Sequence, residues 1–197
     1  VKKAVIILIV ILFFTYVGTE LSCGSWIYTY SLKSNLTNEI TSAYLTSAFW
    51  GALTIGRLVG VVLSKLIKPE KFLIIDFSGS FVSLLIIIIW SNSITGLWIG
   101  TLLFGLFMAS VFPMLLVFAE RRYQITGAMA GWFFVGSSSG GIVFPFVISQ
   151  LFNHFGPKSI PMTWLISIIL SIIILSFMLL ISAKFTQNNH QKTQRRI

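Results

Sequence analysis

Hydrophobic positions in this chain fall into long unbroken runs, and polar positions fall into the short gaps between them. Residues 4–30, 42–64, 72–90, 94–119, 128–152 and 160–183 are each apolar over the ~18 or more positions that a helix needs to cross a bilayer. The pattern predicts an all-α integral membrane protein: one bundle of six transmembrane helices over 1–183, then a polar, basic tail over 184–197, KFTQNNHQKTQRRI. The first run is too long for a signal peptide, has no clear small-residue cleavage site and precedes five more spans, so it is read as a helix that stays in the protein. A chain that starts at Val1 rather than Met is expected to be a piece of a longer protein.

Two runs carry interruptions. Gly18 and Gly24 flank Glu20 in "GTELSCGSW" and are expected to loosen the first helix. Pro113 removes the donor to the Ala109 carbonyl and weakens the fourth. These are the first spans of two halves of the chain. Sliding the sequence by 85 positions aligns 41–66 with 126–151, with eight of 26 positions identical, Gly51/Gly136 and Gly56/Gly141 among them. The second and fifth spans run in opposite directions, so the alignment predicts a three-plus-three repeat of inverted topology. In that architecture, interrupted segments in corresponding positions mark a binding site near the midplane.

Composition agrees with the pattern: 56% of residues are hydrophobic and 10% are charged, against about 25% charged in soluble domains, and the mean hydropathy is +0.92. The net charge of +9 would suggest nucleic acid in a soluble protein, but here its distribution reads as topology. Eleven basic residues fall on the side of Lys2, Lys3, Lys65, Lys68, Lys71, Arg121, Arg122 and the tail. Only Lys33 and Lys158 fall on the other, and Arg57 lies inside a span. Both termini are therefore expected in the cytoplasm, with the tail as an inside anchor and the cell membrane as the location. The lone Cys23 excludes an intrachain disulfide, and Asn35-Leu36-Thr37 forms a glycosylation sequon in an outer loop.

Glu20, Arg57 and Asp76 are the ionisable residues within spans, where such groups face a partner or a water-filled cavity. Measured from the basic loop residues at ~1.5 Å per residue, Arg57 lies ~12 Å deep, Asp76 ~7 Å and Glu20 ~25 Å. The ~5 Å gap to Asp76 predicts an Arg57–Asp76 structural or gating pair, and the ~13 Å gap leaves Glu20 without a partner. Tyr16, Cys23, Gly24 and Ile27 share the face of Glu20. A carboxylate there accepts solute hydroxyls or carries a coupling proton or cation. Trp50, Thr54 and Arg57 make a stripe on the second span, and Trp132, Gly136 and Ser139 one on the fifth. An indole ring with hydroxyls and a carboxylate nearby suits a sugar. Trp26, Tyr28, Tyr30, Trp90 and Trp98 lie near span ends and read as interface anchors.

An enzyme is not expected. Gly136-Ser137-Ser138-Ser139-Gly140 has the spacing of a nucleophile elbow, but it lies in a predicted helix rather than a strand–turn–helix, and His154 and His190 fall outside the spans. Small residues at four-residue spacing (Gly56–Gly60, Gly96–Gly100, Gly127–Gly131, Gly136–Gly140) read instead as close helix crossings. No cofactor is implied beyond a coupling H⁺ or Na⁺.

Several strings resemble a known family. "YVGTELSCGSWIYTY", "GLFMASVFPMLLVFAERR" and "WFFVGSSSGGIVFPFVISQLFNHFGP" resemble the seventh, tenth and eleventh helices of the major facilitator superfamily, in its branches of the fucose–proton symporter and the sodium-dependent glucose transporter. The superfamily's loop signature G-x-x-x-D-R-x-G-R-R is absent, and "SKLIKPEKFL" stands in its place. The resemblance implies the carboxy-terminal six-helix half of a sugar transporter that works by alternating access. In it, Glu20, Tyr16, Gly24, Trp50, Thr54, Phe112, Trp132 and Ser139 would line a central cavity. The partners implied are the bilayer, a small solute, and a missing amino-terminal half or a second copy. A homodimeric six-span carrier or channel, and a non-transporting chain that keeps the fold, remain the alternatives.

Overall fold

The structure is a computed structural model that describes the backbone of residues 2–194 and the side chains of 3–182. It contains seven helices among the described residues: α1 (Lys2–Lys33), α2 (Glu39–Leu63), α3 (Pro69–Ile89), α4 (Ile94–Met108), α5 (Val111–Arg122), α6 (Gly127–Phe155) and α7 (Ser159–Gln194). With α4 and α5 taken as one broken segment, six are long and apolar enough to cross a membrane. The helix starts lie within a few residues of the predicted spans because polar residues cap them. Asn38 accepts from the Thr41 amide, Ser93 from Gly96 and Thr126 from Met129, and Pro69 opens α3. α7, which carries the sixth span, continues as helix to Gln194, through most of the expected tail. The tail's last basic residues, Arg195 and Arg196, lie outside the described residues.

The two expected interruptions behave differently. Between α4 and α5, Ala109 and Ser110 form a turn, which places Pro113 in the first turn of α5, where no intrahelical donor is required. By contrast, α1 runs unbroken through Gly18 and Gly24, so the expected loosening does not occur. A helical glycine costs only ~1 kcal/mol, while each backbone group left unpaired in hydrocarbon costs several. The glycines serve packing instead. A Cβ on Gly18 would strike the Phe144 ring, and one on Gly24 would lie 2.7 Å from Cε2 of Trp50.

Packing follows the three-plus-three order. α1, the first span of one triplet, lies on α6 and α7, the second and third spans of the other. The counterpart of α1, α4 with α5, lies on α2 and α3, and α3 meets α7. Small residues set the crossings. A Cβ on Gly136 would lie 2.7 Å from the Val10 carbonyl oxygen, and one on Gly140 would overlap that of Phe14. On the other side, Gly56 faces Ala109 and the Leu106 carbonyl, and Gly105 faces the Phe49 carbonyl. The repeat is imperfect: Gly136 is packed, but its counterpart Gly51 has nothing within 4 Å. Gly127 and Gly131 likewise meet nothing within that distance, so of the four small-residue pairs this one makes no crossing within the chain.

Hydroxyls also join the helices, a feature that spacing along the chain does not announce. Thr19 bonds Ser167 at 2.7 Å, and Ser171 bonds Thr15 at 2.8 Å, tying α1 to α7 inside the core. At the α2–α3 end, Arg122 of α5 binds Glu70 of α3 at 2.8 Å, donates to Ser182 of α7 and lies 4.7 Å from the Phe118 ring centroid.

Candidate functional site

Glu20 sits mid-helix on α1 and is buried. Its own helix supplies one partner by spacing: the Tyr16 hydroxyl, one turn earlier on the same face, donates to Oε2. The neighbouring helix supplies the other, with Arg57 Nη2 lying 3.3 Å from Oε1. The Tyr16 hydroxyl also faces the backbone of Phe112, directly after the α4–α5 break. The carboxylate thus has a donor on each oxygen, and three elements meet around it.

This arrangement corrects the Arg57–Asp76 pair expected from depth. α1 has 32 residues, or ~48 Å of helix against a hydrocarbon core of ~30 Å. Its first residues therefore overhang, and counting from Lys3 overstates the depth of Glu20. The short loop joining α1 to α2 is the better reference. From Lys33 and Glu39 the two residues lie ~20 and ~27 Å along their helices, and an arginine spans the difference. Asp76 belongs to α3, which packs on α4, α5 and α7, while α2 packs on α4 and α1. No hydrogen-bond partner reaches Asp76 Oδ2 among the described residues.

The pair is lopsided. The Glu20 side chain is 7% exposed and that of Arg57 is 55% exposed. The guanidinium therefore forms the accessible edge of a buried carboxylate. Trp50, whose ring packs on Gly24 and edge-on to Phe49 with centroids 5.2 Å apart, is 38% exposed. Thr54 is exposed too, with its hydroxyl turned back to the Trp50 carbonyl at 2.8 Å. Phe112 is half-buried between Phe13 and Phe134. Glu20, Tyr16, Phe112 and Arg57 are thus joined by contacts, and Gly24 packs on Trp50 one turn further along α1 from Glu20.

Trp132 does not join them. It is 62% exposed and lines a separate pocket of about 400 Å³ with Lys3, Ile6, Ile7, Val10 and Ile11, at least ~14 Å along α1 from Glu20. Ser139 is half-buried, beside the Gly140–Phe14 crossing. The "GSSSG" string lies within α6 and Ser137 bonds the Phe133 carbonyl one turn back at 2.9 Å, so it forms no nucleophile elbow. No group of three or more potential metal ligands occurs among the described residues.

Six apolar spans, one of them broken in the middle, and a buried carboxylate paired with a half-exposed guanidinium are features of a polytopic membrane protein. The family model of the Major Facilitator Superfamily matches residues 1–145. The chain belongs to the major facilitator superfamily. Sodium-dependent glucose transporter 1A of Mus musculus is 31% identical over 153 residues, covering 78% of this chain and 36% of the relative. Sodium-dependent glucose transporter 1 of Danio rerio is 33% identical over 139 residues, covering 71% and 23%. Major facilitator superfamily domain-containing protein 4A of Homo sapiens is 30% identical over 137 residues, covering 69% and 27%. The chain spans about a third or less of the length of these relatives. Two of these three relatives carry the names of transporters.

Proposed function

We propose that this chain forms the carboxy-terminal six-helix half of a secondary active transporter that moves a sugar by alternating access, coupled to H⁺ or Na⁺. The observation that carries the reading is the Tyr16–Glu20–Arg57 cluster. A buried carboxylate with a half-exposed guanidinium opens beside Trp50 and Phe112, next to the broken span. Charged groups at that depth are expensive and mark solute or ion pathways. Arginine donates in a planar fork suited to paired oxygens, and an indole face suits the apolar face of a pyranose. The relatives named as sodium-dependent glucose transporters support the solute class.

In this mechanism Glu20 exchanges partners. In one state it is held by Arg57 and Tyr16, as seen here. When solute hydroxyls or the coupling ion engage the carboxylate, Arg57 is released toward the opposite half, and the two halves rock. Such a switch needs solute or ion to bind one arrangement better than the other. The test uses the full-length gene product in proteoliposomes with a panel of sugars and imposed H⁺ and Na⁺ gradients. Glu20→Gln keeps size and hydrogen bonding but removes charge. A coupling role predicts retained counterflow without accumulation, and a binding role predicts weaker affinity with coupling intact. Wild-type accumulation and affinity in Glu20→Gln would refute both.

A further inference from the structure

α3 carries a carboxyl that the cluster around Glu20 does not use. Asp76 is 3% exposed, and its Oδ2 has no hydrogen-bond partner among the described residues. One turn on, along the same face, the buried Ser80 hydroxyl is also without one. Asp76 lines a pocket of about 340 Å³ between α2, α3 and α4. Gly56 and Gly60 of α2, Phe107 of α4 and Ser110 of the α4–α5 break wall it, and Leu63 and Phe72 carry it to the α2–α3 loop. Apart from Asp76 and Ser110, its lining side chains are apolar.

Among the described residues no cation faces this carboxyl. Arg57 is engaged with Glu20, and Glu70 with Arg122. Lys65, Lys68 and Lys71 are exposed at the α2–α3 end, and Glu120 and Arg121 are exposed at the end of α5. Glu39 is exposed at the opposite end of α2. α4 has no ionisable residue, and α7, which packs on α3, has none through Ser182. An unpaired carboxylate in such a place is far costlier than the neutral acid. A bound proton removes the charge at once. A hard metal cation takes several oxygen ligands, and the side chains here offer only the Asp76 carboxyl and the Ser80 and Ser110 hydroxyls.

We propose that Asp76 is a proton-binding site, separate from the Glu20–Arg57 pair and loaded through this pocket from the α2–α3 loop. The proton binding stands on the geometry of the pocket, and its use in coupling rests on the transport reading above. One wall is the α4–α5 break, where Ala109 and Ser110 sit against Gly56 and Gly60. Movement of that broken span during alternating access changes the contact of Asp76 with water, and so its proton occupancy.

The probe is dicyclohexylcarbodiimide, an apolar reagent that adds to protonated carboxyls, applied to the solubilised wild-type full-length protein and mapped by mass spectrometry. The expected label is on Asp76, fading as pH is raised and indifferent to sodium at fixed pH. No label on Asp76 at any pH, or protection by sodium, would overturn the proton site. In proteoliposomes, Asp76→Asn mimics the neutral acid and is expected to keep sugar counterflow while losing uptake driven by a proton gradient. If uptake in that variant stays gradient-driven, Asp76 has no part in coupling. If the wild type moves no sugar, the transport reading falls, and the labelling still decides the proton site.

Discussion

Arg57 reaches from α2 to Glu20 on α1, with Nη2 3.3 Å from Oε1, and the two ends of this pair are unequally buried. Removing either partner should therefore have different consequences. Arg57→Gln leaves the buried carboxylate with Tyr16 alone and is expected to cost about 1–3 kcal/mol. Glu20→Gln leaves an arginine that can turn to water, and should cost less. The double variant should show a coupling of about 0.5–3 kcal/mol, while Arg57→Gln and Asp76→Asn should add to within about 0.5 kcal/mol. Thermal unfolding of the purified variants in detergent measures these terms. Strong coupling of Arg57 to Asp76 instead would show that the assigned partner is wrong.

The crossing of α1 and α6 makes a second prediction. A methyl group at Gly136 would lie 2.7 Å from the Val10 carbonyl oxygen, and backbone cannot step aside as a side chain can. Gly136→Ala and Gly140→Ala should each lose about 1–3 kcal/mol by forcing the helices apart. Gly131→Ala meets nothing within 4 Å and should be neutral or stabilising by up to ~1 kcal/mol, since alanine is the better helix former. Equal melting temperatures for the Gly131 and Gly140 variants would contradict this crossing.

Gly24→Ala should separate function from folding. The obstacle to its methyl group is the indole of Trp50, a side chain rather than backbone, and 38% exposed. Expression and stability should stay close to wild type. Solute affinity should fall by up to about tenfold, near 1.4 kcal/mol, because the ring beside the site is displaced. Unchanged affinity in a ligand-binding assay would remove Trp50 from the solute site.

Orientation is open to direct labelling. Asn35 is exposed in the α1–α2 loop, and Arg121 is exposed at the end of α5. The surplus of basic residues on one set of loops predicts that a cysteine at 35 reacts with an impermeant maleimide in intact cells, and that one at 121 reacts only after lysis. The reverse result would invert the topology.

The hydrophobic pattern by itself determined that the chain is a six-span helical membrane protein and roughly where each span begins, and Pro113 marked the fourth as weakened. In hydrocarbon every backbone group must be satisfied within its own segment, so length, hydropathy and proline nearly dictate the element. Glu20 was also legible as an odd carboxylate, because ionisable groups at that depth are rare. The identity of its partner was not. Arg57 joins Glu20 rather than Asp76 because of how far α1 overhangs and which helices touch, and neither is written in spacing along one helix. The same holds for Gly18 and Gly24, which read as loosening elements until the rings of Phe144 and Trp50 were seen against them. Trp132 looked equivalent to Trp50 by stripe, but α6 carries it to the other end of α1. Local periodicity fixes which face of its own helix a side chain occupies. Only the packing of helices distant in sequence decides what that face meets, and hence which of the two buried carboxyls is paired with Arg57.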